Sequence, residues 1–353
     1  MRIAILPALV LALSHPANAA EPAPKGEPVV IGQTFAVPSE AFGQVRLTVR
    51  VPDGYGAPEN AERRYPVLYL IDGGPEQDFP HVAGLAQLAD TNPAYGEFIL
   101  VGVETEDRRA RISPPADDPA IAEGLGSEVG GSADFRAFLA TEAMPWLEAR
   151  YRTSGWDAVL GESLAGLFIV ETFLVQPDLF DDYVASSPSM WWDAMTFGRQ
   201  APALLAEHAS SDRTLAIYMA DEGDWMEEGT LMLVDALERE APEGLRWTFH
   251  DLSGEETHAS IFHTVAFDAI RSLYPQPTRL WRPYPTMTDE PLTPRTPEME
   301  AKAATECITQ DAQAATPEET KGPGGDRTAL YYECFLYDWG PTPDRGNWDG
   351  LSR

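Results

Sequence analysis

The segment Gly161-Glu-Ser-Leu-Ala-Gly166 contains a serine that could act as a nucleophile. A short apolar run precedes it, and an apolar stretch follows from Leu167 to Leu174. This order of strand, turn and helix is that of a nucleophile elbow, in which a sharp turn exposes the serine hydroxyl above the sheet. The start of the following helix would supply backbone N–H groups for an oxyanion. Ser163 could instead be a helix N-cap, because serine is favoured at that position.

A serine nucleophile needs a general base, and the chain has six histidines. In this arrangement the acid and then the histidine follow the serine along the chain, which leaves His250, His258 and His263. His250 falls inside a predicted strand, and His263 falls inside the last predicted helix. His258 lies in the polar loop 253–260, from which its ring could reach the serine. The sequence therefore predicts His258 as the base.

Three carboxylates compete for the acid that orients this histidine. They are Asp221, Glu222 and Asp224, and all of them follow the predicted strand 215–219. A carboxylate in this role fixes the tautomer and the orientation of the imidazole. The three lie within four positions of one another, so spacing alone does not choose between them. The residues predict a Ser-His-acid triad with the acid left open.

An oxyanion hole and a substrate pocket would complete such a site. The hole needs a second backbone donor besides the N–H of Leu164. The loop after the third predicted strand offers Gly73 and Gly74, and glycine permits close approach of the backbone to a substrate oxygen. Trp191 and Trp192 follow another strand end, where sites occur in open parallel sheets. They could form the wall of an acyl or aryl pocket, or pack against the edge of the core.

Apolar runs and helical stretches alternate along the chain. The predicted strands are 29–31, 45–51, 65–71, 98–103, 158–160, 183–185, 215–219 and 245–250. The predicted helices are 133–150, 164–175, 228–240 and 260–273. This alternation predicts an α/β protein whose mostly parallel central sheet has helices on both faces.

Composition limits the class of protein. The 353 residues include 25 Lys and Arg against 56 Asp and Glu, which gives a formal net charge of −31. A nucleic-acid binder needs a basic face, so we expect no nucleic-acid partner. A hydrophobic content of 44% allows a large core and excludes a mostly disordered chain. Metal-ligand spacings, dinucleotide fingerprints and Walker loops are missing from the sequence, so we expect no metal and no cofactor.

The N-terminus predicts an exported protein. The apolar run from Ile3 to Leu13 is too short to span a bilayer, and Ala17-Asn-Ala19 is typical of a signal-peptidase site. We therefore expect a signal peptide over 1–19, a periplasmic or secreted location and no insertion into the membrane.

The chain changes in character near Pro275. We expect an α/β domain over 20–275 and a C-terminal extension over 276–353. Cys307 and Cys334 are the only cysteines of the chain, and both lie in that extension. We expect them to form a disulfide, because an exported chain meets an oxidising compartment.

From about residue 28 to 275 the chain resembles the putative esterase family of α/β-hydrolases. That family includes the enterochelin and salmochelin esterases and is related to the S-formylglutathione hydrolases. The matching motifs are Tyr65–Gly73, Val101–Val103 with Arg108, Met144–Arg152, Gly161–Phe168, Pro177–Phe180 and Ser187–Trp192. The chain departs from the family pattern at Glu162, Ala165 and Arg111, where members usually have His, usually have Gly and often have Asp.

The resemblance implies an α/β-hydrolase fold and a serine carboxylic-ester hydrolase that forms an acyl-enzyme. It implies Ser163 as nucleophile, His258 as base and Glu222 as acid. It also implies oxyanion donors from the backbone of Leu164 and Gly74. We expect a small-molecule ester as substrate. Hydrolysis of a siderophore trilactone, acyl transfer to an alcohol and a catalytically inactive binding module remain as alternatives, and the intact serine, acid and histidine argue against the last.

Overall fold

The computed structural model describes residues 26–91, 95–208 and 210–275. Within these ranges one sheet has the strand order β1-β2-β4-β3-β5-β6-β7-β8. The strands are β1 (Gln33–Ser39), β2 (Gly43–Arg50), β3 (Tyr65–Ile71), β4 (Ile99–Val103), β5 (Thr153–Glu162), β6 (Asp182–Ser186), β7 (Thr214–Met219) and β8 (Arg246–Asp251). β2 pairs antiparallel with β1 and β4, and every other pair of neighbouring strands is parallel.

Helices connect these strands. They are α1 (Phe79–Thr91), α2 (Arg108–Ile112), α3 (Pro119–Leu125), α4 (Ser132–Phe138), α5 (Met144–Glu148), α6 (Leu164–Val175), α7 (Trp192–Ala206), α8 (Asp224–Glu240) and α9 (Ile261–Leu273). A π-helical turn, Leu139–Ala143, joins α4 to α5. None of the helices in the described ranges is long and apolar enough to cross a membrane.

Both faces of the sheet are covered, which explains why central strands such as β3 and β4 are continuous apolar runs. Side chains alternate along β3, so that Val67, Tyr69 and Ile71 join one apolar cluster and Leu68 and Leu70 join the other. Residues of α1 and α9 complete the second cluster, and residues of α4 to α8 complete the first. The prediction of an α/β-hydrolase fold, with a mostly parallel sheet between two layers of helices, is confirmed.

Most individual elements match the predictions, and the differences have local causes. The predicted strand at 29–31 is wrong: Val29 is 90% exposed, and the first strand begins at Gln33. The helices α1, α2, α3 and α7 were not predicted. Proline and glycine interrupt the patterns of α1 and α7, and α2 and α3 have only five and seven residues. Pro80 lies in the first turn of α1, where the helix needs no N–H from it.

The helix α6 holds the turn before it in place because the protein core encloses it. All of its residues from Leu164 to Leu174 are buried, including the carboxylate of Glu171. Arg136 lies 2.8 Å from Glu171, and the hydroxyl of Ser132 donates to the same carboxylate at 2.9 Å. A buried charge needs such partners, so α4 and α6 are joined by an ion pair as well as by apolar packing.

Several predictions concern residues outside the described ranges. The signal peptide over 1–19 lies before them. The extension over 276–353 and the pair Cys307 and Cys334 lie after them. The two segments and the disulfide therefore remain predictions.

Carboxylates lie close together at the amino end of β5. Burial, followed by the nearby charges of Asp181 and Glu148, raises the pKa of Asp157 to about 7. The backbone N–H of Asp157 donates to the carboxylate of Asp181 at 2.8 Å, which brings the two acids together. In the folded protein Asp157 therefore retains a proton that the unfolded chain loses near pH 4.

We predict that Asp157→Asn stabilises the protein more as the pH rises from about 4 to about 7. Over this window the wild-type free energy of unfolding falls, because the unfolded chain ionises Asp157 before the folded chain does. Asparagine has no such proton to lose. After allowance for solvent screening at this partly buried position, we expect a gain of roughly 1 to 2 kcal/mol above about pH 8 and little at about pH 4.

Urea unfolding of the wild type and the variant at both pH values measures this difference. Glu62→Gln removes an exposed carboxylate by the same kind of exchange and is the matched control. A gain of equal size at both pH values would show that Asp157 does not carry a shifted proton.

Candidate active site

Ser163 lies in the sharp turn between β5, which ends at Glu162, and α6, which begins at Leu164. Its backbone has φ 58° and ψ −115°, a region that non-glycine residues rarely adopt. Such strain persists only where surrounding contacts enforce it. The N–H of Ser163 donates to the carbonyl of Ser186 at 2.9 Å, and its carbonyl accepts from Leu167 at 2.9 Å. The predicted nucleophile thus occupies the strained turn that an elbow requires.

Small residues allow this turn to close. A Cβ on Gly161 would lie 2.7 Å from the Cβ of Ala165, and a Cβ on Gly166 would lie 2.8 Å from the carbonyl oxygen of Ser186. Both distances are too short for any side chain at positions 161 and 166. The methyl group of Ala165 fits as long as residue 161 is glycine. The departure from the family pattern at position 165 is therefore compatible with an elbow.

His258 lies in the loop between β8 and α9 and contacts both other members of the predicted triad. Its Nε2 is 3.1 Å from the Oγ of Ser163. Its Nδ1 is 3.1 Å from Oε1 of Glu222 and 2.9 Å from Oε2. The side chain of His258 is 43% exposed, whereas that of Glu222 is 3% exposed. The structure thus brings hydroxyl, imidazole and carboxylate into one hydrogen-bonded chain.

Backbone pairing selects which of the three carboxylates meets the histidine. The N–H of Asp221 donates to the carbonyl of Glu256 at 2.9 Å, and that of Leu252 donates to the carbonyl of Met219 at 2.8 Å. These bonds join the loop after β7 to the loop that carries the histidine. They leave Asp221 and Asp224 exposed, while the side chain of Glu222 points inward to the imidazole.

The two titrating members of this chain shift each other's pKa. The hydrogen bond to Glu222 raises the pKa of His258 above its usual value, although burial acts in the opposite direction. Burial alone would raise the pKa of Glu222, but hydrogen bonds from His258 and Ser187 outweigh it and lower that pKa. Glu222 therefore stays ionised while His258 can accept a proton, as an acid–base pair requires.

A second carboxylate, that of Glu162, lies beside the nucleophile. Burial raises the pKa of Glu162 to about 7. The carbonyl of Glu162 accepts a hydrogen bond from Arg108 at 3.1 Å, and the same guanidinium pairs with Asp72. The family resemblance drew attention to Glu162 and Arg108. The ion pair of Arg108 with Asp72 had no signal in the sequence, because it joins residues far apart along the chain.

The loop after β3 is held in a closed arrangement. The N–H of Gly74 donates to Oε1 of Gln77 at 2.9 Å, and the N–H of Gly73 donates to the carbonyl of Val103 at 2.9 Å. The side-chain amide of Gln77 also donates to Thr105 at 3.2 Å. A substrate oxygen would have to displace Gln77 before Gly74 could act as the predicted oxyanion donor.

The other predicted oxyanion donor, the N–H of Leu164, does not require Gln77 to move. Leu164 is the first residue of α6, and the N–H groups of the first turn of a helix have no partner within the helix. The N–H of Leu164 is therefore oriented by α6 itself, next to the nucleophile.

The two adjacent tryptophans have different environments. Trp192 is 1% exposed and donates its indole N–H to the carbonyl of Pro115 at 3.3 Å. Trp191 is half-buried, with its ring centroid 5.6 Å from that of Trp192. Trp192 therefore packs in the core, and only Trp191 has surface with which to contact a substrate.

Taken together, this arrangement can activate a hydroxyl group. An imidazole hydrogen-bonded to a serine can remove its proton during attack, and a buried carboxylate stabilises the imidazolium that forms. Among the described residues, no group of three or more His, Cys, Asp or Glu side chains is arranged to hold a metal ion.

The sequence of this chain is similar to those of known proteins. The ferri-bacillibactin esterase BesA of Bacillus subtilis is 24% identical over 232 residues, which cover 60% of this chain and 80% of that protein. The siderophore enterobactin esterase of Emericella nidulans is 33% identical over 108 residues, which cover 28% of this chain and 36% of that protein. This chain therefore spans most of the bacterial relative but only about a third of the fungal one.

Solved structures and a family model agree with these relatives. An IroE-like serine hydrolase from Shewanella oneidensis superposes with a TM-score of 0.61 at 25% identity, over 69% of this chain and 80% of that protein. The model of the family described as "Putative esterase" matches residues 39–260, which is more than half of the chain and includes Ser163, Glu222 and His258. The chain belongs to the putative esterase family.

Proposed function

We propose that this protein is an exported serine esterase that hydrolyses carboxylic esters through an acyl-enzyme on Ser163. Its family membership makes it an esterase. The observation that carries the mechanism is the hydrogen-bonded chain in which His258 lies 3.1 Å from Ser163 and 2.9 Å from Glu222. Export rests on the signal-peptide pattern of residues 1–19 alone.

In the first half of the reaction Ser163 Oγ attacks the ester carbonyl carbon while Nε2 of His258 removes the hydroxyl proton. The N–H of Leu164 donates to the oxyanion that forms. The imidazolium then gives its proton to the leaving alcohol as the carbon–oxygen bond to that alcohol breaks. Glu222 remains ionised throughout and holds Nδ1–H of the imidazole.

In the second half a water molecule attacks the acyl-enzyme. His258 takes one proton from this water, and the new bond joins its oxygen to the acyl carbon. The bond from the acyl carbon to Ser163 breaks, and the proton passes from His258 to the serine oxygen. The products are the free acid and the unchanged enzyme, so no other reactant is needed.

Relatives named as siderophore esterases favour a second candidate, the hydrolysis of a siderophore trilactone. This substrate would use the same triad, so only substrate preference separates the two proposals. A panel of p-nitrophenyl esters of increasing acyl length, assayed beside a catecholate trilactone with and without iron, tests both. Turnover of the lactone well above that of every simple ester would favour the siderophore, and the reverse result would favour a general esterase.

We predict that Ser163→Ala lowers ester turnover at least about a thousandfold without unfolding the protein, because it removes the attacking atom. Turnover of a p-nitrophenyl ester and covalent labelling by a fluorophosphonate, measured with thermal unfolding, check this. A folded, pure sample of the variant that kept its turnover would rule out the proposed mechanism.

We predict that Glu222→Gln lowers kcat by about a hundredfold or more, because the neutral amide no longer stabilises the imidazolium or fixes its tautomer. Asp221→Asn and Asp224→Asn remove exposed carboxylates from the same loop and are the matched controls. We expect each control to retain kcat within about threefold. A larger loss in Asp224→Asn than in Glu222→Gln would place the acid two residues later.

We predict that Glu162→Gln shifts the acidic limb of the pH profile of kcat/KM to lower pH. The hydrogen bond to Glu222 is the main cause of the raised pKa of His258, and the negative charge of Glu162, which forms as the pH passes about 7, raises it further. Removal of that charge should let His258 lose its proton at lower pH. Glu227→Gln, an exposed change on α8, is the control, and an unchanged limb in Glu162→Gln would contradict the coupling.

A further inference from the structure

A second serine touches the nucleophile, and the mechanism above gives it no role. The Oγ of Ser189 lies 3.2 Å from the Oγ of Ser163. Ser189 is only 4% exposed, and its backbone N–H donates to the carbonyl of Ser163 at 3.0 Å. Its hydroxyl is therefore held against the nucleophile by both backbone and packing.

The direction of the hydrogen bonds follows from the state of His258. In the neutral imidazole the proton lies on Nδ1, which is bonded to the carboxylate of Glu222, so that Nε2 is an acceptor. The hydroxyl proton of Ser163 must then point to Nε2 at 3.1 Å. The oxygen of Ser163 keeps free lone pairs, and one of them can accept the hydroxyl proton of Ser189.

Ser189 belongs to a turn that also contacts Glu222, at the other end of the triad. We call residues Ser186–Ser189 the serine turn. Ser187, which adopts φ 39°, forms a side-chain hydrogen bond with Glu222 and accepts one from the N–H of Ala220 at 3.4 Å. One short segment after β6 thus contacts both the acid and the nucleophile.

We propose that Ser189 is a positioning residue that orients the hydroxyl of Ser163 for proton transfer to His258. The proposal rests on the esterase mechanism given above. A serine side chain has three staggered rotamers, and a donor and an acceptor on two sides of its oxygen select one of them. In the acyl-enzyme the hydroxyl of Ser189 still donates to this oxygen, which becomes the leaving oxygen when water attacks.

The hydroxyl of Ser189 also affects the proton affinity of His258. When His258 is protonated, Nε2–H donates to the Oγ of Ser163, and the proton of Ser163 turns towards Ser189 as its acceptor. In Ser189→Ala that proton loses its partner, and an unpaired donor costs more than an unused lone pair. Loss of the Ser189 hydroxyl should therefore disfavour the imidazolium and lower the pKa of His258.

The test compares Ser189→Ala with Ser186→Ala, using a p-nitrophenyl ester over a range of pH. Ser186→Ala is a matched control because it leaves intact the backbone carbonyl that accepts from Ser163 and removes only a hydroxyl that is equally buried and has no hydrogen-bond partner among the described residues. For Ser189→Ala we expect kcat to fall by about three- to tenfold with KM unchanged, the typical effect of one lost hydrogen bond. We also expect the acidic limb to move to lower pH. Ser186→Ala should show neither change.

Equal kcat values in the two variants, or a loss in Ser189→Ala without a shift of the acidic limb, would overturn the proposal. Thermal unfolding of both variants separates a positioning effect from a damaged fold. Fluorophosphonate labelling of Ser163→Ala distinguishes this failure from that of the mechanism itself. If labelling survives in Ser163→Ala, the mechanism is wrong. If labelling is lost in Ser163→Ala but Ser189→Ala behaves like Ser186→Ala, only the positioning role is wrong.

Discussion

The active site depends on one strained residue, because Ser163 must hold a positive φ at the point where β5 becomes α6. Such a conformation costs on the order of 1 to 3 kcal/mol, and neighbouring contacts have to offset it. The bond from Ser163 to Ser186 and the burial of α6 supply those contacts. The absence of a side chain at Gly161 lets Ala165 approach closely and so permits the turn. The packing of α6 and the bond to Ser186 therefore hold the hydroxyl of Ser163 in place.

Local hydrogen bonds and ion pairs, more than the net charge of the chain, set the protonation states in the active site. The net charge of −31 is spread over 353 residues, whereas the site depends on three side chains with defined proton positions. The hydrogen bond between Glu222 and His258 raises the pKa of the imidazole, and the charge of the half-buried Glu162 beside it adds to this effect. Arg108 holds the carbonyl before the nucleophile and pairs with Asp72, so one cation orders the elbow within an acidic environment.

Two features of this site depend on side-chain hydrogen bonds outside the triad. The N–H of Gly74 is engaged with Gln77, so the loop after β3 must rearrange if it is to bind an oxyanion. The serine turn contacts the acid through Ser187 and the nucleophile through Ser189, which links the ends of the triad independently of the histidine. In both cases side-chain hydrogen bonds, and not backbone geometry alone, control the groups that would meet a substrate.

The sequence by itself determined the fold class, the family and the approximate place of each site residue. Buried parallel strands must be apolar throughout, so β3 could be recognised at its full length from Tyr65 to Ile71. The edge strand was harder to predict, because apolar character alone does not specify pairing. Val29 to Ile31 look like a strand but precede the true one, which begins at Gln33.

Only the tertiary structure decided which groups meet. Spacing could not choose among Asp221, Glu222 and Asp224, because the choice depends on backbone pairing between two loops about 35 residues apart. For the same reason the sequence showed neither the buried position of Trp192 nor the contact of Ser189 with Ser163. Local patterns report periodicity and turn chemistry, whereas a catalytic constellation is a set of long-range contacts that exists only after the sheet has brought its strand ends together.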